Sequence, residues 1–342
     1  MTMPGRFRLQ QFLAECRAAR CRFAIIEVTS QGIAQSRHRF TRFSGAVLTN
    51  VAPEHLEAHG SFEAYRSSKI ELFRRIPADG FVVLNRHDES SAHFAAATPA
   101  QQVWYSRERI TVGSHAYPVR IGNISTDHIE LSIGAASARV ELGGAFNVPN
   151  IIAASAVALS LGVSPQTIAA ALNRVTSIPG RLEFVIRSPF SVVVDYANTP
   201  QAYGAVYQTL TERNPGLVCV FGAPGGGRDK WKRPELGKIA ARYCQSVILT
   251  SDDPDDEDPS RIVSEIQSGM TNDQLLMTKV KLDRREAIRE ALGMARPGDT
   301  IVITGMGAQP WFVGRGGKKI PWDDRAVVRE EFAALPQFRS QG

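Results

Sequence analysis

The sequence is poor in cysteine, in long apolar runs and in blocks of like charge, and each shortage narrows what the chain does. Four cysteines (Cys16, Cys21, Cys219, Cys244) occur in 342 residues, with no C-x-x-C pair and no zinc-type Cys/His spacing. They read as reduced thiols of a protein in a reducing compartment, not as a disulfide framework or a metal knuckle. The most apolar stretch, Ile151 to Val163, follows Pro149 and Asn150 and falls short of the ~20 residues of a membrane span. Arg6 and Arg8 are followed by no apolar run, so the N-terminus does not read as a secretory signal and a cytoplasmic location is expected. No G-x-x-x-x-G-K-[ST] occurs anywhere. Lys and Arg total 40 against 34 Asp and Glu, yet no basic block stands out. A small anionic partner such as a nucleotide or phosphorylated metabolite is expected, rather than nucleic acid or a membrane.

What is present suggests two α/β domains. Arg6 to Ala19 has helical spacing with Phe12, Leu13 and Cys16 on one face. Phe23 to Val28, Ala46 to Thr49 and Phe81 to Leu84 read as strands, and Ser61 to Ile76 as a helix. This alternation predicts a mainly parallel sheet. Short alternating runs between Val103 and Leu142 predict a small antiparallel annex, followed by helices at Val148 to Leu161 and Pro165 to Asn173. Ile178-Pro179-Gly180 breaks the pattern, which places the boundary between domains 1–179 and 180–342. Beyond it the apolar runs SVVVDY, LVCVF, SVILT and DTIVIT alternate with helical stretches, the pattern of a doubly wound, Rossmann-like domain.

Several residues stand out against this frame. On the helix Ser61 to Ile76, Phe62, Tyr65, Leu72, Phe73 and Ile76 share a stripe, and Lys69 falls in its middle. Either it snorkels to the surface, or a costly buried ammonium loses its proton and offers a neutral amine. Upstream, Thr49 to Gly60 carries Glu54, His55, Glu57 and His59 in one turn, and Glu27 ends the preceding strand-like run. These groups read either as a divalent-metal site for phosphate chemistry or as helix-capping and surface residues. Asn147 and Asn150 at the start of an apolar helix either cap it or leave one amide to read a ligand. The loop Gly222 to Lys230 (GAPGGGRDK) is a tight turn or an anion-binding loop. The acidic run Ser251 to Pro259 is a solvated loop or, facing Arg228, a site for a cationic amine.

Taken in order, TNVAPEHLEAHG with YRSSK behind it, GAFNVPNIIAA, IPGRLE, VVVDYANTP, FGAPGGGRDKWKRP, TSDDPDDEDP and KKIPWDDR resemble the Mur ligases, in the branch that adds the third residue of the peptidoglycan stem. The resemblance runs from about Thr2 to Glu331. It implies the family's central and C-terminal domains, and an ATP-dependent amide ligase acting on a UDP-N-acetylmuramoyl-dipeptide and an amino acid through an acyl phosphate. By the same resemblance Glu27 and His55 hold Mg²⁺ and Lys69 carries a carbamate (an N6-carboxylated lysine). Thr2, Thr29, Gln35 and Arg37 meet the UDP-sugar peptide. Asn150, Arg181, Asp195 and Asn198 meet ATP, and Arg228, Asp252, Asp253, Asp255 and Gln309 meet the incoming amino acid. A monomer is expected.

The sequence departs from the family pattern at named places. The phosphate-binding loop expected ahead of Thr2 is not in the sequence, so the chain is expected to be incomplete at its N-terminus or unable to phosphorylate, binding ATP weakly as it stands. Asn198 replaces a histidine, and Thr29-Ser30-Gln31-Gly32 replaces Ser-Ser-His-Gly. Gly305-Met306-Gly307-Ala308-Gln309 ends without the usual acid. Asp255 stands where an arginine meets the distal carboxylate of diaminopimelate, which favours a distal ammonium and hence a lysine-like amino acid. A folylpolyglutamate- or cyanophycin-type ligase, and a non-catalytic binding protein that keeps the muramoyl-peptide crevice, are the alternatives.

Overall fold

A computed structural model describes residues 3–52, 59–213 and 216–335, with the backbone alone for Arg213. The chain divides into two compact units. One comprises Met1–Ile121, Leu131–Ser137 and Val148–Ala170, the other Gly122–Glu130, Ala138–Asn147 and Ala171–Gly342.

The first helix, α1 (Arg6–Ala18), buries only Leu9; of the expected face, Phe12 is exposed and Leu13 and Cys16 are half-buried. Phe23 to Val28 forms no strand, and Ile25 is 93% exposed. Its β-branched composition asks for a ladder partner, but among the described residues β1 (Gly45–Val47) is an edge strand paired only with β2 (Phe81–Asn85). Between Phe23 and β1, α2 (Ser30–Ala34) starts on Thr29, whose side chain accepts from Gly32 N at 3.1 Å. Helix α3 (Phe62–Arg74), capped by Ser61, connects β1 to β2. Then α4 (Ser91–Ala96) leads to β3 (Gln101–Tyr105), parallel to β2. Ile70, Phe73 and Ile76 pack with Leu48, Val82, Leu84 and Phe94 into this unit's core. Strands β4 (Arg109–Val112) and β5 (His115–Ile124) turn antiparallel, which is the annex, and β6 (Ile129–Ile133) and β7 (Ala136–Val140) complete a seven-stranded sheet in chain order. Helices α5 (Val148–Ser160) and α6 (Pro165–Leu172) follow.

The second sheet is built from β8 (Glu183–Ile186), β9 (Ser191–Asp195), β10 (Leu217–Phe221), β11 (Ser246–Leu249), β12 (Thr278–Val280) and β13 (Thr300–Thr304), in the order β12-β11-β10-β13-β9-β8. All neighbours are parallel except β8 against β9. The connecting helices are α7 (Pro200–Arg213), α8 (Lys232–Tyr243), α9 (Pro259–Gln267), α10 (Asn272–Leu276) and α11 (Arg284–Met294), and α12 (Asp324–Ala333) closes the described chain after the hairpin β14 (Trp311–Gly314)–β15 (Lys318–Pro321). Two cores cover the sheet, one around Tyr203, Tyr207, Phe221 and Leu236, the other around Val192, Val220, Ile288 and Val328. Burial on both faces is why β9, β10 and β13 read as unbroken apolar runs. The strands at the two edges, β8 and β12, lack that signature.

Cys219 and Cys244 are joined in a disulfide, their Cα atoms 6.0 Å apart, against the expectation of four reduced thiols. Cys219 lies in the core that α8 covers, and Cys244 directly follows that helix, so the crossover returns one sulfur to the other. Cys16 and Cys21 remain thiols. Among the described residues no helix is long and apolar enough to cross a membrane.

Candidate functional site

Four parallel strands, β9, β10, β11 and β13, send their carboxyl-end loops to one end of the second sheet, where open α/β folds bind ligands. Those loops begin at Asp195, Phe221, Leu249 and Thr304 and carry the DYANTP, glycine-rich, acidic and Gly305 segments. Glycine permits their close approach. A Cβ at Gly225 would lie 2.0 Å from the Pro254 carbonyl, and one at Gly305 (φ +111°) 2.0 Å from Asp252 Oδ2.

Asp252 is strongly perturbed. It is 6% exposed, and no hydrogen-bond donor among the described residues reaches its carboxylate. Burial pushes its carboxyl up to about 7; Arg284 and Arg228 pull the other way, and Asp253 and Asp324 add to the rise. Arg284 does not neutralise it, because that guanidinium is engaged elsewhere. Its Nε and Nη2 donate to the Asp324 carboxylate, both at 2.8 Å, Nη2 also donates to Thr304 O at 3.0 Å, and Nη1 donates to Ser251 O at 3.4 Å. Both members of the pair are essentially fully buried. Asp324 further accepts from Trp322 Nε1 at 2.8 Å.

The half-buried Tyr196 sits among the predicted groups. Burial raises its phenol, Asp252 and Asp253 raise it further, and Arg181 and Arg228 oppose them. The Arg181 guanidinium lies 4.6 Å over its ring. Sequence reasoning missed Tyr196; the signal is an aromatic placed directly after the buried run SVVVD. It also missed Asp324, which stands in the quoted PWDDR.

Other predicted residues of this unit are committed to structure. Asp195 accepts Leu182 N at 2.7 Å and Ala197 N at 2.6 Å, holding Leu182 at φ +44°. Burial raises its carboxyl, and those two bonds and Arg181 counter the rise. Asp253 accepts Gln309 Nε2 at 2.8 Å and Val313 N at 2.7 Å. Asp255 accepts Gly317 N at 3.1 Å and Asp256 accepts Gly316 N at 2.9 Å. Glu257 takes Arg233 at 3.0 Å, Lys230 at 3.3 Å and Gly227 N at 3.1 Å, and Asp258 caps α9. The acidic run is therefore a set of braces, with Asp252 the exception. Arg228 is exposed and Asn198 half-buried. Beside Arg181 a cleft of about 200 Å³ is lined by Asp127, Glu141, Glu183 and Arg187.

In the first unit, Ser30 meets α3. Ser68 Oγ donates to Ser30 O at 3.0 Å, and the ring nitrogen His59 Nε2 lies 3.1 Å from Ser30 Oγ. His59 stacks edge-on to Tyr65, and Lys69 Nζ lies 5.0 Å from that same ring. Lys69 is half-buried, between the two expected extremes. Arg37 binds Gln35 Oε1 at 2.7 Å and Met3 O at 2.6 Å. Glu27 is exposed on the irregular segment before α2, which replaces the expected strand end. His55 and Thr2 lie outside the described residues, and among those described no trio of His, Cys, Asp or Glu converges as a metal site. Asn147 is buried and donates to Gly143 O at 2.8 Å. Asn150 is exposed inside the first turn of α5, past the capping position.

Residues 1–158 match the Mur ligase middle domain, and residues 180–307 the Mur ligase glutamate ligase domain. The chain is 36% identical over 348 residues to a UDP-N-acetylmuramoyl-L-alanyl-D-glutamate–2,6-diaminopimelate ligase of Gloeobacter violaceus, covering all of this chain and 69% of that protein. It is 36% identical over 351 residues to a UDP-N-acetylmuramyl-tripeptide synthetase of Roseiflexus, covering 96% of this chain and 68% of that one. A solved structure of a UDP-N-acetylmuramoyl-L-alanyl-D-glutamate–2,6-diaminopimelate ligase aligns with TM-score 0.58 and 30% identity, over 97% of this chain and 68% of that one. The chain thus spans about two thirds of the length of these relatives. Two family domains matched in order, with relatives above 30% identity along nearly its whole length, place the chain in the Mur ligase family.

Proposed function

We propose that this protein serves an ATP-dependent ligase reaction that joins a diamino acid to a UDP-N-acetylmuramoyl-dipeptide. The feature that carries the reading is that Tyr196, Arg228, Asp252 and Asp253, with Arg181 stacked on the Tyr196 ring, act on one another electrostatically at the carboxyl end of a parallel sheet. Such a mixed-charge cleft suits a zwitterion, whose ammonium and carboxylate need opposite partners in one place. In the reaction ATP transfers its γ-phosphoryl to the dipeptide carboxylate. The amine then attacks the acyl phosphate, and phosphate leaves. Mg²⁺, when bound, would supply charge neutralisation for phosphoryl transfer. Glu27, His55 and a carbamate on Lys69 would hold it; in support, Lys69 is half-buried beside Tyr65, on the helix that hydrogen-bonds Ser30. Thr2, Thr29, Gln35 and Arg37 would face the sugar-peptide; Asn150, Arg181, Asp195 and Asn198 would face ATP. Asp195 would act there by fixing the backbone that carries Arg181.

For the amino acid, the name of the Gloeobacter relative says diaminopimelate, whereas Asp255 favours a side chain ending in ammonium alone. Phosphate release from ATP and UDP-N-acetylmuramoyl-L-alanyl-D-glutamate, in a form carrying the family's phosphate-binding loop ahead of Thr2, is expected to require a diamino acid and to be faster with lysine than with diaminopimelate. A preference for diaminopimelate overturns the role given to Asp255. Release that needs no amino acid, or glutamate addition to a folate, overturns the muramoyl reading. Absence of release with intact binding of the UDP-dipeptide would leave the binding-protein alternative in its place.

A further inference from the structure

We propose that Arg284 is a positioning residue: pinned by Asp324, it holds the carbonyls of Ser251 and Thr304 and thereby fixes Asp252 in the cleft that receives the incoming amino acid. The inference rests on the ligase reading and adds to it two residues that do not themselves touch substrate.

The geometry is specific. Ser251 O and Thr304 O belong to different loops, one after β11 and one ending β13, and a single guanidinium binds both. Asp252 follows Ser251, and its Oδ2 lies against Gly305, which follows Thr304. The two carbonyls therefore set the walls between which the Asp252 carboxylate stands. Asp324 occupies the Nε edge of Arg284 in a fork-to-fork pair, which keeps the arginine from turning onto Asp252. A lysine could not reproduce this, since it offers a point charge in place of a planar fork. The carboxylate thus stays without a hydrogen-bond partner among the described residues while 94% of its residue surface is covered. Such a group is costly to keep, and a ligand ammonium would satisfy it. The charged and titratable groups that act on Asp252 are Arg284, Asp253, Asp324 and Arg228, and it acts in turn on Tyr196 and Tyr203.

The test follows the Asp252 carboxyl by ¹³C NMR and the Arg284 Nε–H by ¹⁵N–¹H NMR, assigned with Asp252→Asn and Arg284→Lys. In the wild-type chain the Nε–H signal is expected to persist across pH 5–8 and to shift with the Asp252 titration. Asp324→Asn, which removes a neighbouring negative charge and frees the arginine, is expected to move the Asp252 midpoint down by about a unit or more. An Nε–H signal lost to exchange at neutral pH, or one indifferent to Asp252, overturns the proposal. So does an Asp324→Asn protein whose Asp252 midpoint is unmoved. Should that variant not fold, the wild-type signals decide alone. In the ligase assay Arg284→Lys is expected to raise the amino-acid KM about tenfold, the loss of roughly one charge-assisted hydrogen bond, and to leave the KM for ATP unchanged. Equal effects on both overturn the positioning role. An inactive wild type bears on the ligase reading instead, and the NMR arms still decide.

Discussion

Asp252 and His38 are two buried titratable groups with opposite signatures. His38 is 3% exposed, with both ring nitrogens sealed and unpartnered among the described residues. The nearby Gly32 carbonyl already accepts Arg37 N. Burial first and Arg75 second lower its pKa, against Gly32 and Glu71, so its neutral ring contributes stability above about 6.5 that is lost as pH falls. Asp252 acts in reverse. Its carboxyl is raised from 3.8 to about 7, so the stability of the protonated form is complete below 3.8 and is lost as pH rises through 7. Comparing wild type with Asp252→Asn isolates that term, because His38 is common to both. Urea unfolding is expected to show Asp252→Asn gaining on wild type by more than about 1 kcal/mol between pH 5 and pH 8; a pH-independent difference would contradict the raised carboxyl. The sequence showed Asp252 only as one acid in a run. Nothing in SDDPDDEDP separates the member left without a donor from those that brace Gln309, Gly316, Gly317 and Arg233, because the distinction lies in which donors distant segments bring to them.

At the scale of elements, local chemistry was readable where one segment determines its own structure. Ser61 caps α3 by accepting Ala64 N at 3.1 Å, and the apolar spacing behind it gives the helix expected from sequence. Ser61→Ala is expected to cost about 1 kcal/mol in the unfolding of the first unit, measured by denaturant melts; a change below about 0.3 kcal/mol would show that packing alone holds the helix. Phe23 to Val28 went the other way. Its composition favours a strand, but a strand is completed by a neighbour that the segment does not encode, and among the described residues β1 pairs only with β2. The short β8 and β12 escaped for the same reason, since edge strands carry little continuous apolar pattern. The Cys219–Cys244 disulfide joins residues 25 apart, a juxtaposition made by the β10–α8 crossover and absent from any local motif.

For the whole molecule, the order of motifs made the family legible while single motifs stayed ambiguous. The glycine loop, the acidic run and the Gly305 turn each had a plain structural reading, and each has a structural job. Together they occupy loops from adjacent parallel strands, so the sheet topology, not any one sequence feature, assembles the charged cleft. Lys69 and Glu27 could not be joined in the same way, because one lies on a helix and the other on an irregular segment rather than on neighbouring strands. The central claim is that this cleft serves amide-bond formation on a nucleotide-linked peptide. The most direct measurement is the mass of the UDP-linked product after incubation with ATP, Mg²⁺, UDP-N-acetylmuramoyl-L-alanyl-D-glutamate and a diamino acid, using the form that carries the phosphate-binding loop. The expected product is heavier by one diamino-acid residue, formed with stoichiometric phosphate and abolished by Lys69→Ala. An unchanged UDP-dipeptide alongside ATP turnover would contradict it.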